Sequence, residues 1–223
     1  MDKQAVHNPA ALRQTRPQPM PLPYAPFTPA QLAVRRRVWD AFGELFLDTD
    51  TRPSLPLIAR RLAESGLDEA ALGEIWREEV TPALLFNLTL VAGEWAYFDL
   101  DWLEEQIVRR RAIRHQLKRW SLSALMQQVW SSEVEPAYAA AMRLRSGLLV
   151  LPTAERSARA AIWHRLARAY FWSEVSPLTA CPASAVDLKT VWADLEPTLR
   201  PLLLKSEDEE RSSQAVLALI SSA

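Results

Sequence analysis

Three polar side chains stand out because their neighbours in sequence are apolar. Asp48 follows Leu45-Phe46-Leu47, Asn87 lies between Phe86 and Leu88, and Glu94 sits between Gly93 and Trp95. Two carboxylates in apolar surroundings are raw material for acid–base chemistry, since burial raises a carboxyl's hold on its proton until it can donate as well as accept. On that reading Asp48 and Glu94 line a pocket, with Asn87 and Trp95 beside them. The opposing reading makes the same groups struts that satisfy backbone donors at helix ends and pair with Arg36, Arg37 or Arg60. Interior acids of helical domains are usually paired in this way. The expectation is therefore a binding or structural role for Asp48, Asn87, Glu94, Trp95, Arg36 and Arg37, and no catalytic residue.

Other chemistries find less support. The histidines are His7, His115 and His164, and no HxxxH, HxxE or Glu-xx-His spacing joins them to further ligands, so neither metal nor cofactor is expected. The one cysteine, Cys181, precedes Pro182 in a loop without a basic neighbour, which suits a bystander thiol. No Gly-x-Ser-x-Gly elbow is present, and the 5 glycines form no phosphate-cradling spacing. Arg109, Arg110, Arg111, Arg114, Lys118 and Arg119 form one basic run. At helical spacing they cover more than half a circumference, so Arg110, Arg111, Arg114 and Lys118 read as a solvated basic face balanced by Asp101, Glu104 and Glu105. A net charge of −1 argues against nucleic acid and leaves an acidic protein surface as the partner such a face would meet.

The elements that must position these residues read as helices. Residues 1–27 carry Pro9, Pro17, Pro19, Pro21, Pro23 and Pro26, a disordered proline-rich arm whose end Tyr24 and Phe27 would anchor. That arm holds no continuous apolar segment, later apolar runs are too short to span a bilayer, and a cytoplasmic location is expected. Thr28, Pro29 and Gln31 spell a capping box, followed by a stripe of Leu32, Val38, Trp39, Phe42, Leu45 and Phe46. A second helix runs from about Leu55 to Glu64 and stops at Gly66; Asp68 caps a third, which Pro82 interrupts. Asp99 caps a fourth helix, with Trp102, Leu103 and Ile107 inside. Ser121 caps a fifth that Pro136 interrupts, Leu148 to Leu151 forms a buried connector, and Thr153, Ser184 and Ser206 cap the rest.

One pattern recurs. Trp76-Arg77-Glu78-Glu79-Val80-Thr81-Pro82-Ala83 aligns without a gap on Trp130-Ser131-Ser132-Glu133-Val134-Glu135-Pro136-Ala137, and shorter relatives start at Trp172 and Trp192. Proline strips a carbonyl four residues back of its donor and bends the helix; the tryptophan fills the opening, and the carboxylate between them holds a basic residue from a neighbouring helix. The pattern is either a common way to end helices in a tryptophan-rich chain or the trace of a duplicated hairpin.

Several segments between Gln31 and Ile107 arrive in a familiar order: Leu45-Phe46-Leu47-Asp48-Thr49, Glu79-Val80-Thr81-Pro82, Ala92-Gly93-Glu94-Trp95 and Phe98-Asp99 with Trp102-Leu103. In them the chain resembles an uncharacterised bacterial domain-of-unknown-function family, over about residues 31–107. The resemblance implies a compact helical domain and supplies no activity. The whole therefore reads as an all-α bundle of about seven to eight kinked, proline-interrupted helices. Residues 1–27 are the arm, 28–120 the family-like domain, and 121–223 a second helical half, which is a diverged duplicate packed on the first if the recurring pattern marks a duplication. With 9 tryptophans and many arginines, both common interface anchors, the expected role is binding a protein partner, in the style of immunity or accessory proteins of bacterial competition. An enzyme using Asp48 and Glu94 is the alternative, and a DNA-associated regulator using residues 109–119 is a third option.

Overall fold

The computed structural model describes residues 27–47, 49–84, 98–116, 122–174, 187–204 and 208–222, and within these the side chains of all but 112–133. The fold is all-α, with no strand among the described residues. Helix α1, Pro29–Gly43, opens on the expected reciprocal cap: Thr28 Oγ1 accepts from Gln31 N at 3.3 Å, and Gln31 Oε1 accepts from Thr28 N at 2.9 Å. Helix α2, Leu55–Glu64, buries Leu55, Ile58, Ala59, Leu62 and Ala63 on one stripe and packs against α1 and against the helices Leu122–Leu149 and Thr153–Trp172. It ends at Gly66, whose φ of 72° is the left-handed geometry that glycine adopts without a Cβ penalty.

Asp68 then caps α3, Glu69–Ile75, accepting from Ala71 N at 2.7 Å. Pro82 does not interrupt the helix as the sequence suggests. The chain widens into a π-turn over Trp76–Val80, in which Thr81 N–H bonds to Trp76 O, and then continues as α4, Thr81–Leu84. A wider turn just ahead of proline removes the demand for the donor that proline lacks. It also turns Trp76, Glu79 and Val80 inward. Helix α5, Leu100–Gln116, is capped by Asp99 Oδ1, which accepts from Asp101 N and Trp102 N, and it buries Leu103 and Ile107.

Helix α6, Leu122–Leu149, also runs unbroken through its proline, Pro136, which lies exposed on the outer face. Because the helix is still turning at Leu148, Leu148 to Leu151 is no buried connector. Leu148 is fully buried, while Leu149 is 38% and Val150 83% exposed. Thr153 is the first residue of α7, Thr153–Trp172, and not its cap; Pro152, with φ already near helical values, precedes it. Asp187 caps α8, Leu188–Leu199, and Asp208 caps α9, Glu209–Ser221, so aspartates directly before the first turn take the role expected of Ser184 and Ser206. Ser121, Ser184 and Ser206 lie outside the described residues, as do residues 1–26. The core runs from Val38 and Trp39 through Leu62, Leu103, Leu148 and Tyr170 to Leu219. Among the described residues no helix is long and apolar enough to cross a membrane.

Candidate functional site

Positions four apart on a helix share a face, and on α1 that rule brings Arg35 and Trp39 together. The π-turn points Glu79 at them, and α5 brings Arg111. Glu79 Oε2 accepts from Trp39 Nε1 at 2.7 Å, while its Oε1 accepts from Arg35 Nη1 at 2.9 Å and Arg111 Nη1 at 2.8 Å. The Glu79 side chain is 1% exposed, against 20% for Arg35 and 33% for Arg111. Burial raises its carboxyl above the ordinary carboxylate value, and the Trp39 hydrogen bond and both arginines pull against that rise. Above the carboxylate lies Phe27. Arg35 and Arg111 stand over its ring, 4.7 and 4.9 Å from the centroid, and Trp39 meets it edge-on at 5.8 Å. One acid thus ties together α1, the π-turn, α5 and the residue at which the proline-rich stretch ends.

Two further ion-pair groups brace α1. Arg36 bonds Asp101 at 2.6 Å and also Glu104, both on α5. Arg61 on α2 bonds Asp40 at 2.8 Å and Glu44. Beside Asp40 and Glu44 opens a cavity of about 210 Å³, walled by Trp39, Gly43, Leu47, Phe98, Leu100 and Leu103.

Another constellation sits at the C-terminal end of α7. Trp172 is 46% exposed, and its Nε1 donates to Asp50 Oδ2 at 3.0 Å. Asp50 also receives Arg52 through Nε at 2.7 Å and Nη2 at 2.8 Å. Burial alone would raise the Asp50 carboxyl; the bonds from Arg52 and Trp172 outweigh it and hold the group below its ordinary value. Arg52 in turn lies over the Phe171 ring at 4.6 Å and donates to Leu202 O at 3.0 Å, two residues before Leu204, which is 58% exposed. Arg168 stacks on Trp172 at 5.6 Å and bonds Glu174. Between Trp172 and Glu174, Ser173 takes a left-handed φ of 54°, the one non-glycine residue among those described to do so.

Of the residues singled out in sequence, Arg36 sits in the α1–α5 ion pairs and Arg37 lies exposed on α1. Arg110 is exposed, while Arg111, about 100° further round the helix, turns inward to Glu79. Asp48, Asn87, Glu94, Trp95 and Lys118 lie outside the described residues, as does Tyr24, and the Arg114 side chain is not among those described. Sequence reasoning about single residues passed over Glu79, Arg35 and Arg61. The recurring Trp-x-x-Glu-Val-x-Pro pattern did carry the signal for Glu79: its carboxylate holds basic residues of neighbouring helices, the role that pattern implied. Trp76, the pattern's first residue, stacks on Tyr138 at 4.6 Å and donates to Glu135 at 3.3 Å, so the first occurrence touches the second. Partly buried His164 faces Pro53 O through Nδ1 at 2.8 Å. Among the described residues no group of His, Cys, Asp and Glu is arranged to hold a metal ion.

Residues 33–143 match the model of a family described as a domain of unknown function, DUF7079. The match takes in Glu79 with its donors, the cavity and most of α6. No curated protein and no solved structure matches the chain.

Proposed function

We propose that this chain, with its DUF7079 domain, acts by binding another protein, as a cytosolic immunity or accessory protein of bacterial competition would. The observation that carries the reading is Trp172. An indole nearly half exposed is held in one orientation by a hydrogen bond to Asp50 and by the Arg168 guanidinium on its face. Tryptophan and arginine are the side chains most enriched among interface hot spots, and one already fixed in place loses little rotamer freedom on binding. Asp40, Glu44, Glu79, Asp101 and Glu104 all pair with arginines of neighbouring elements, which suits acids that hold helices in place. The test is affinity capture from the source cell with the full chain and with Trp172→Ala. Wild type should recover one partner at near-stoichiometric yield and Trp172→Ala should lose it. Recovery of no such partner, or equal recovery by both chains, overturns the proposal.

A further inference from the structure

Gly43 closes α1 with right-handed helical backbone, φ −58° and ψ −35°. A Cβ there would meet Phe98 Cδ2 at 3.6 Å, Leu103 Cδ2 at 3.8 Å and Leu84 Cδ1 at 3.9 Å, all ordinary van der Waals separations. Neither the backbone nor the packing calls for glycine at this position, and glycine is a poor helix former. It lies in the wall of the cavity between α1 and the start of α5, where a methyl would project towards Phe98 and Leu103.

The volume of that cavity, about 210 Å³, sets the size of its occupant. It exceeds the roughly 150 Å³ that houses a benzene, and falls short of the roughly 300–1,000 Å³ of small-molecule and cofactor sites. One long side chain fits. The partly exposed walls of Leu47, Phe98 and Leu100 suit a methylene stem, and the rim sets the charge. Asp40 Oδ2 and Glu44 Oε1 both bond Arg61. Among the described residues Asp40 Oδ1 and Glu44 Oε2 have no partner, and two acids against one arginine leave the rim negative. A carboxylate oxygen at the mouth of an apolar slot takes a charge-assisted hydrogen bond from a cation whose stem lies within.

We propose that this cavity receives one basic side chain, arginine or lysine, of the protein partner. The inference rests on the protein-binding reading and adds to it the chemistry of the segment recognised. The test is a ¹⁵N-resolved NMR titration of the full chain with Nα-acetyl-arginine methylamide, against the citrulline analogue, which has nearly the same shape and no charge. The arginine probe should shift the amides of Gly43, Glu44, Leu47 and Leu103 saturably. Citrulline should bind about tenfold more weakly or worse, as loss of a charge-assisted bond implies. Gly43→Ala, whose methyl occupies the space, should weaken the arginine probe and leave the rest of the spectrum in place; Asp40→Asn should weaken it through the rim. Equal response to both probes, unmoved Gly43 and Leu103 amides, or Gly43→Ala binding as wild type would overturn the assignment. A Trp172-dependent partner with an unresponsive cavity sinks this inference alone. Saturable probe binding with no partner captured keeps the cation site and sinks its protein source.

Discussion

Replacing Glu79 by alanine takes the acceptor from three donors at once, and the structure allows the loss to be divided among them. Trp39 is fully buried, and a buried N–H left without an acceptor costs about 1–3 kcal/mol. Arg35 and Arg111 are 20% and 33% exposed, so their heads can swing to water; each is assigned about 0.5 kcal/mol, the scale of a surface pair. The sum is about 3 kcal/mol, at the lower edge of the roughly 3–5 kcal/mol expected when a buried ion pair loses one member. For a chain of 223 residues that is a fall in Tm of about 6–12 °C. Urea denaturation followed by circular dichroism reads it as a midpoint shift at unchanged slope. Glu79→Gln keeps an oxygen for Trp39, and since burial outweighs the arginines in raising this carboxyl, the amide should lose much less than alanine does. The pH dependence has a definite sign. With the folded value raised above 4.5, the folded chain holds this proton more tightly, so the Glu79 contribution is largest in acid and declines as pH rises from about 4.5 through the folded value; Glu79→Gln removes that slope. A loss below about 1 kcal/mol for Glu79→Ala would refute the reasoning, since the lone Trp39 donor should exceed it.

Gly66→Ala, forced into a φ of 72°, should destabilise by about 1–2 kcal/mol in the same denaturation assay. Gly43→Ala should do the opposite and stabilise by about 0.4–1 kcal/mol, because its backbone is helical and its Cβ meets no clash. Burial foremost lowers His164 below its ordinary 6.5, against the Pro53 hydrogen bond that favours the charged ring. Its stabilising contribution is thus complete above about pH 6.5 and lost as pH falls through the folded value; His164→Gln should flatten the thermal stability profile in that window.

Much of the scaffold is legible in sequence because its signals are local. Thr28, Pro29 and Gln31 write their cap within four residues, Gly66 marks a left-handed turn, and Asp68 and Asp99 start the helices expected of them. The prolines misled because their effect depends on the backbone around them. Pro82 is absorbed by a π-turn and Pro136 by an unbroken helix, outcomes that no single dipeptide encodes. Glu79 was visible only as part of a repeated pattern. That Arg35 and Arg111 meet on it is a matter of how α1 and α5 cross, which spacing along either helix does not specify. Arg111 shows the same limit: within a run of basic residues, which one turns inward is decided by the helix it packs against. Trp172 reads as an ordinary aromatic at a helix end until Asp50, 122 residues away, is seen holding its N–H.

The claim that this chain works through a prearranged Trp172 surface is tested most directly by photo-crosslinking in the source cell. A benzophenone amino acid would replace the exposed Leu204, beside the Trp172 constellation, in one sample and the exposed Arg37 in another, with Trp172 intact in both. One discrete protein adduct from position 204, lost when Trp172→Ala is added and without its equal from position 37, is the result predicted. No adduct at 204, or the same adducts at the same yield from both positions or with Trp172→Ala, would contradict it.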